Sequence, residues 1–299
     1  MTTTTRPRRT QRSIWERLFK SGREDSPFKR LLIHMTLILC CAIAVYPVLR
    51  IVSVSLRPGD RLLSTSLAII PDDATLQAYK TVLVEKEFLV WLWNSIVITA
   101  ATATIGVILA ATSAYAFSRW QFPGRGPGLV FLLSTQMLPA PMMMVPIYIL
   151  ATKLGLTQTY RGLVIAYSVT AVPFSIWILK GYYDTIPREL EEAALIDGVS
   201  RLSAFWRIIL PLSTPALAIV FLFSFMSAWS DYLLARVMIA SERPLWTWVL
   251  GVRDFQSQFQ TQWGLFSAAS VLVAIPVMSL FLYSSKWLIS GLTLGSVKG

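Results

Sequence analysis

Five stretches of this chain contain no Asp, Glu, Lys or Arg: residues 91–117, 126–152, 162–179, 208–230 and 255–285. A sixth, 31–49, is interrupted only by His34. A helix needs about 20 mostly apolar residues to cross a bilayer, where every backbone polar group must be satisfied internally. Six spanning helices are therefore predicted: an all-α, polytopic membrane protein in which 299 residues leave little for a soluble domain. Charged residues make up 14% of the chain, against about 25% in soluble domains.

Charge orients the spans. The first thirty residues carry nine basic side chains (Arg6, Arg8, Arg9, Arg12, Arg17, Lys20, Arg23, Lys29, Arg30) against three acidic ones. Such an arm stays cytoplasmic by the positive-inside rule, and it reads as a membrane anchor rather than a nucleic-acid binder. It is longer and more basic than a secretory leader, and no small-residue cleavage pattern follows, so the first helix is expected to stay in the chain. The expected organisation is a cytoplasmic arm, 1–30, and a transmembrane domain, 31–299, with both termini inside. Trp91, Trp93, Trp229 and Trp263 then lie at the outer boundary and Trp120, Trp206 and Trp287 at the inner one, an interfacial belt. A short surface helix is expected in "PDDATLQAYKTVL" of the first outer loop, 57–90. Prolines 47, 139, 141, 146, 173 and 276 sit in or near the spans and can kink them; "PAPMMMVP", 139–146, is the best candidate gate.

Several functions lack their chemistry. Cys40 and Cys41 are adjacent in the first run and point in different directions on a helix, so they read as small apolar fillers rather than a disulfide. One histidine and no Cys/His spacing give no support to a metal site. The phosphate loop G-x-x-x-x-G-K-[S/T] is missing, so no cofactor is expected on this chain and any ATP is bound elsewhere. A membrane-embedded enzyme needs converging ionisable groups, which these spans nearly lack. A passive channel or scaffold differs from a pump in lacking sugar-stimulated ATP hydrolysis.

One inner loop is strongly patterned: "EEAALIDGVSRLSAFWRIILP", 191–211. Thr185 is placed to cap a helix with Pro187 in its first turn. Glu189, Glu191 and Glu192 favour its positive end, and Leu190, Ala193 and Ala194 share one flat face. Gly198 is the left-handed terminator, and Ser200 caps a second helix with a stripe of Leu202, Phe205, Trp206 and Ile209. Pro211 marks the bend into the next span. Two short helices at a fixed angle make a rigid knob for a partner; interfacial helices that merely cover the bundle end are the other reading.

The string E-A-A, three residues, G, nine residues, I-x-L-P is met at Glu192, Ala193, Ala194, Gly198, Ile208, Leu210 and Pro211. It resembles the EAA loop of permease subunits in binding-protein-dependent ABC importers. "WLWNS" (91–95), "AYAFSRWQFPGR" (114–125), "LKGYYDTI" (179–186) and "WLISGLTLGSVKG" (287–299) resemble the MalG-type permeases of maltose and maltodextrin importers, over nearly all of 30–299. The resemblance implies the type I importer permease fold in a bacterial cytoplasmic membrane. It implies a MalF-type second permease, an extracytoplasmic sugar-binding protein and two ATPase subunits that hold ATP and Mg²⁺. Glu192, Asp197, Gly198 and Phe205 would dock the ATPase with the rest of the motif. The tail, with Gly295, Lys298 and Gly299, would insert between the ATPase subunits. Val199 stands where the motif commonly has alanine, and "SDYLL" after Trp229 is closer to general sugar permeases. The cargo is thus maltodextrin, another sugar such as trehalose, or a glycerol-phosphate-type solute.

Two outer features remain. Asp231 follows the fifth run and, with Asn94 and Gln136, is a substrate-path candidate; a structural bond, closed by Arg236, is the competing role. Residues 243–262 combine Trp246, Trp248, Phe255 and Phe259 with Gln256, Gln258, Gln260 and Gln262. Aromatic faces suit sugars and proteins, while a membrane belt leaves the amides without polar partners. Gly251 and Gly264 are expected to flank a mobile loop whose middle, Phe255–Gln260, meets the binding protein.

Overall fold

The computed structural model describes residues 27–59, 70–256 and 261–296, with 288–296 as backbone alone. The arm before Pro27 lies outside the described residues, as do residues 60–69 of the first outer loop.

Among the described residues, four helices are long and apolar enough to cross a membrane unbroken: α1 (Pro27–Ser55), α3 (Phe88–Arg119), α6 (Tyr160–Tyr183) and α12 (Trp263–Ser296). Between them, α2 (Gln77–Lys80) runs on into a π turn over Thr81–Glu85. It occupies the expected surface-helix segment, and the Thr75 hydroxyl accepts from Gln77 N at 3.2 Å. The third apolar run is not one rod. It forms α4 (Arg125–Thr135) and α5 (Ala140–Lys153), bent by 103°. Proline lacks an N–H and disfavours helical backbone in the residue before it, so the break falls just ahead of Pro139 and Pro141.

The fifth run is also divided. Its first residues belong to α8 (Arg201–Leu212), which meets α9 (Thr214–Ser230) at 77°. The bend lies at Ser213, not at Pro211. Pro211 sits inside the last turn of α8 behind a π turn over Phe205–Ile209, a widened turn that accommodates an interior proline. The remaining helices are α7 (Glu189–Ile196), α10 (Leu233–Ile239) and α11 (Trp248–Arg253).

Both bent pairs still travel the length of the bundle. Arg125, at the start of α4, donates from Nε to the Phe117 carbonyl near one end of α3, at 2.8 Å. Beyond α5, Gln158 N reaches the Met238 carbonyl at 2.8 Å and Tyr160 reaches Asn94, near the other end of α3. Likewise α8 packs Phe205 on Tyr115, while α9 ends at Trp229 beside Trp248. The described residues therefore traverse the bundle six times, each bent pair counting as one crossing.

The centre of the bundle is α3. Its buried face is built from small residues (Ala103, Gly106, Ala110, Ala111, Ala114), which let neighbouring backbones come close. Its hydroxyls turn back onto their own helix, Ser95 to Trp91 O at 2.9 Å and Thr99 to Ser95 O at 2.7 Å. Those two hydroxyls are thereby satisfied within the helix, whereas Thr102 Oγ1 and the Trp91 indole N–H are buried without a partner among the described residues. Packed on α3, α6 and α9 complete two clusters, named inner and outer after the orientation expected from charge: the inner with Tyr115, Leu179, Tyr183, Phe205 and Ile209, the outer with Trp91, Phe225, Trp229 and Phe255. By contrast α1 buries only Ser53, Val54 and Ser55, and both cysteines lie on its exposed surface.

Candidate functional site

At the inner end, α7 and α8 form the expected knob. Gly198 has φ +81°. Val199 N bonds to Ala194 O at 2.9 Å and Gly198 N to Leu195 O at 3.1 Å, the paired bonds of a Schellman terminus. Ser200 caps α8 by accepting from Ser203 N at 3.3 Å. Thr185 is not a cap: its hydroxyl donates back to Tyr182 O at 2.7 Å, and the cap position of α7 is Arg188, whose side chain makes no capping bond.

The faces of the knob differ from the simple stripes. Ala194 is buried while Ala193 and Leu190 are exposed. On α8, Phe205 and Ile209 point into the inner cluster, whereas Leu202 and Trp206 face out. Neighbouring positions on a helix diverge, so one stripe becomes two. Ile208 and Leu210 are half-buried and Pro211 is exposed. The free surface carries Ile196, 87% exposed, and Leu202, 68% exposed, with Glu192 and Asp197 exposed beside them.

A polar clamp that sequence reasoning missed holds the knob to the bundle. Glu191, only 8% exposed, accepts from the Tyr115 hydroxyl at 2.6 Å and from Arg119 Nε. The Arg119 guanidinium also donates to Ile186 O at 3.1 Å. Arg188 donates to Ser118 O at 3.3 Å, and Ser118 Oγ donates to Asp184 at 2.7 Å. Burial would raise the Asp184 carboxyl, but hydrogen bonds from Lys180 and Ser118 hold it below its ordinary value. Burying a carboxylate costs several kcal/mol unless it is paired and hydrogen-bonded, and Glu191 is both. The available signal was spacing: Glu191 lies three residues before buried Ala194, on the same face.

In the outer half, Asp231 lines a cavity of about 160 Å³ between α5, α6, α9 and α10, with Met143, Tyr167, Thr170, Ser224 and Ser227. Its Oδ1 accepts from Tyr167 at 3.1 Å and from Leu234 N and Ala235 N at 3.0 and 3.2 Å. The structural bond assigned to Arg236 is thus made instead to Tyr167 and the start of α10, as helix capping requires. Asn94 ties α3 to the outer segment and to α6. It donates to Pro244 O and Trp246 O at 2.8 and 3.0 Å and accepts from Tyr160 at 2.8 Å. Gln136 lies exposed at the α4–α5 bend.

The outer loop is anchored more tightly than expected. Phe255 is buried against Trp91 at 6.1 Å, and Trp246 packs on Trp91 at 6.2 Å with its indole N–H on Ala240 O. Trp248 N donates to Ser95 Oγ at 2.8 Å. Gly251 is no hinge: a Cβ there would stand 2.0 Å from the Trp91 ring. Aromatic surface is better placed in this cluster than in water, and Gln256 pairs with Thr261 across an isolated bridge. Gln258, Phe259 and Gln260 lie outside the described residues, as do Lys298 and Gly299 of the tail; Gly295 lies in the last turn of α12.

Comparison with known proteins agrees with this arrangement. The family model described as binding-protein-dependent transport system inner membrane component matches residues 82–292. The maltose/maltodextrin transport system permease protein MalG of Salmonella typhimurium is 36% identical over 295 residues, covering 92% of this chain and 98% of that protein. The protein of the same name from Escherichia coli K12 is 35% identical, covering 89% and 95%. Among solved structures, a bacterial ABC transporter involved in import of the acidic polysaccharide alginate superposes with TM-score 0.75 at 24% identity, covering 89% of this chain and 99% of that one. A family match across most of the chain, on a bundle that presents the EAA knob at one end, shows that the chain belongs to the binding-protein-dependent transport system inner membrane components, the permease subunits of ABC importers.

Proposed function

We propose that the chain is the MalG-type permease of an importer for maltose, maltodextrin or a related oligosaccharide. The end-to-end similarity to maltose/maltodextrin permeases carries this reading. A MalF-type permease would complete the pathway, an extracytoplasmic binding protein would deliver the sugar, and two ATPase subunits would bind ATP and Mg²⁺. The exposed apolar residues Ile196 and Leu202 beside Glu192 and Asp197 suit helix-in-groove docking, in which a rigid helix offers apolar anchors to a cleft. The basic arm and the tail lie in the cytoplasm by the positive-inside rule. The tail, through Gly295, Lys298 and Gly299, contacts the ATPase pair.

Transport then proceeds by alternating access. Closure of the ATPase subunits moves the knobs, and the 103° bend between α4 and α5 opens the outer cavity. The two states lie within a few kcal/mol, so that ligands shift their populations. Asp231, at the wall of the cavity, is the group of this chain placed to accept hydrogen bonds from sugar hydroxyls.

The test is uptake by the reconstituted complex, with sugars competing for the cognate binding protein. Maltose or maltodextrin should displace labelled sugar and drive ATP hydrolysis; displacement by trehalose or a glycerol phosphate alone rejects the cargo. In the same assay Asp231→Asn should change the apparent affinity for sugar, and a lower yield with unchanged affinity assigns Asp231 to capping only. ATPase subunits that still co-purify after removal of residues 293–299 would rule out the tail contact.

A further inference from the structure

Both ends of α3 are clamped by polar contacts, and each clamp grips a different loop. At the outer end, Asn94 donates to the Pro244 and Trp246 carbonyls, Ser95 Oγ accepts from Trp248 N, and the Trp91 ring lies against Gly251. These contacts fix the outer segment 244–251. At the inner end, Tyr115 and Arg119 both donate to Glu191 of α7, and Ser118 takes up Arg188 and Asp184. These fix the knob.

What joins the clamps is stiff. Pro47, Pro173 and Pro276 lie inside α1, α6 and α12, while α3 is the unbroken span without a proline. Helices bend sharply at prolines. Its small-residue face packs closely on α6 and α9, and a Cβ on Gly106 would already be in van der Waals contact with Ser224, at 3.8 Å. The 25 residue-to-residue steps from Asn94 to Arg119 rise about 37 Å at 1.5 Å per step. A rigid element gripped at both ends moves as one body. Displacing the knob must then displace the outer segment.

We infer that α3 is a through-membrane rod that ties the knob to the outer loop, with Glu191 and Asn94 as its two positioning residues. Occupancy of the outer surface by the loaded binding protein is thereby sensed at the ATPase, and ATPase closure is felt at the outer loop. The inference rests on the proposed docking of ATPase at the knob and binding protein at the outer loop. Neither residue has to touch a partner: Glu191 is buried and Asn94 is enclosed by Tyr160 and the loop carbonyls.

A double-mutant cycle on the complete reconstituted complex tests it, read as ATP hydrolysis with and without sugar-loaded binding protein. Asn94→Ala releases the outer clamp. Glu191→Gln combined with Arg119→Gln releases the inner one without leaving a lone buried charge; Tyr115→Phe is the milder inner variant if that pair fails to assemble. Each should lower stimulation at least about fivefold, the lower range of allosteric coupling, with unstimulated hydrolysis unchanged. Combining outer and inner variants should lower it no further, because a rod released at one end has nothing left to transmit. Sites this far apart otherwise act independently, so fold-losses that multiply would overturn the rod. Wild-type complex that co-purifies with its ATPase but is not stimulated by binding protein removes the proposed function, and the rod with it. Stimulated wild type with multiplying losses removes the rod alone.

Discussion

Gly198 is set by backbone geometry rather than by space. Its φ of +81° lies in the left-handed region, and no atom lies within 4 Å of where a Cβ would stand. A side chain there therefore costs only the conformation, about 1–2 kcal/mol, released by tilting α7 against α8. Gly198→Val and Gly198→Ala should hydrolyse ATP without matching sugar uptake. Gly198→Asn, which tolerates left-handed backbone, should retain most of the uptake. Equal loss from Val and Asn would show that something other than the backbone fixes this position. Gly198 and Ser200 were legible because a terminator and a cap each demand a particular residue. Glu191 was not, since three acids in one helical turn look alike until the partner helix brings Arg119 and Tyr115 to one of them.

Among the elements, long apolar runs were legible as spans, but their bends were only half so. Prolines at 139 and 141 mark where α5 can begin, while the 103° angle depends on what α4 and α5 pack against. Pro211 was assigned the fifth-span bend that falls at Ser213, because a π turn absorbs the proline. Among the outer elements, Gly251, expected to flank a mobile loop, lets α11 lie on α3. A Cβ at Gly251 would overlap the Trp91 indole at 2.0 Å, whereas one at Gly181 meets nothing. Overpacking costs about 1–3 kcal/mol, so Gly251→Ala should lower the thermal stability of the purified complex and Gly181→Ala should not. Matching melting temperatures for the two variants would mean that α11 does not lie on Trp91.

For the whole molecule, the decisive quantity is the number of crossings. Were the bent α4–α5 pair re-entrant, α6 would start on the side where α3 ends, and the knob would sit opposite the basic arm. The contacts favour a crossing: Arg125 holds one end of α3 through Phe117, while Tyr160 holds the other through Asn94. The charge pattern agrees, since nine basic residues precede the first apolar run at Leu31 and six crossings return the tail to their side. Single cysteines decide it, once Cys40 and Cys41 are changed to serine. Lys153 and Gln121 are both exposed and lie on the two sides of the bent pair. In intact cells a membrane-impermeant maleimide should label Lys153→Cys and spare Gln121→Cys until the membrane is opened. If both are spared, the pair turns back on itself and α3 no longer links the knob to an outer loop across the bilayer. If Gln121→Cys alone is labelled, the arm is outside and the orientation read from charge is inverted.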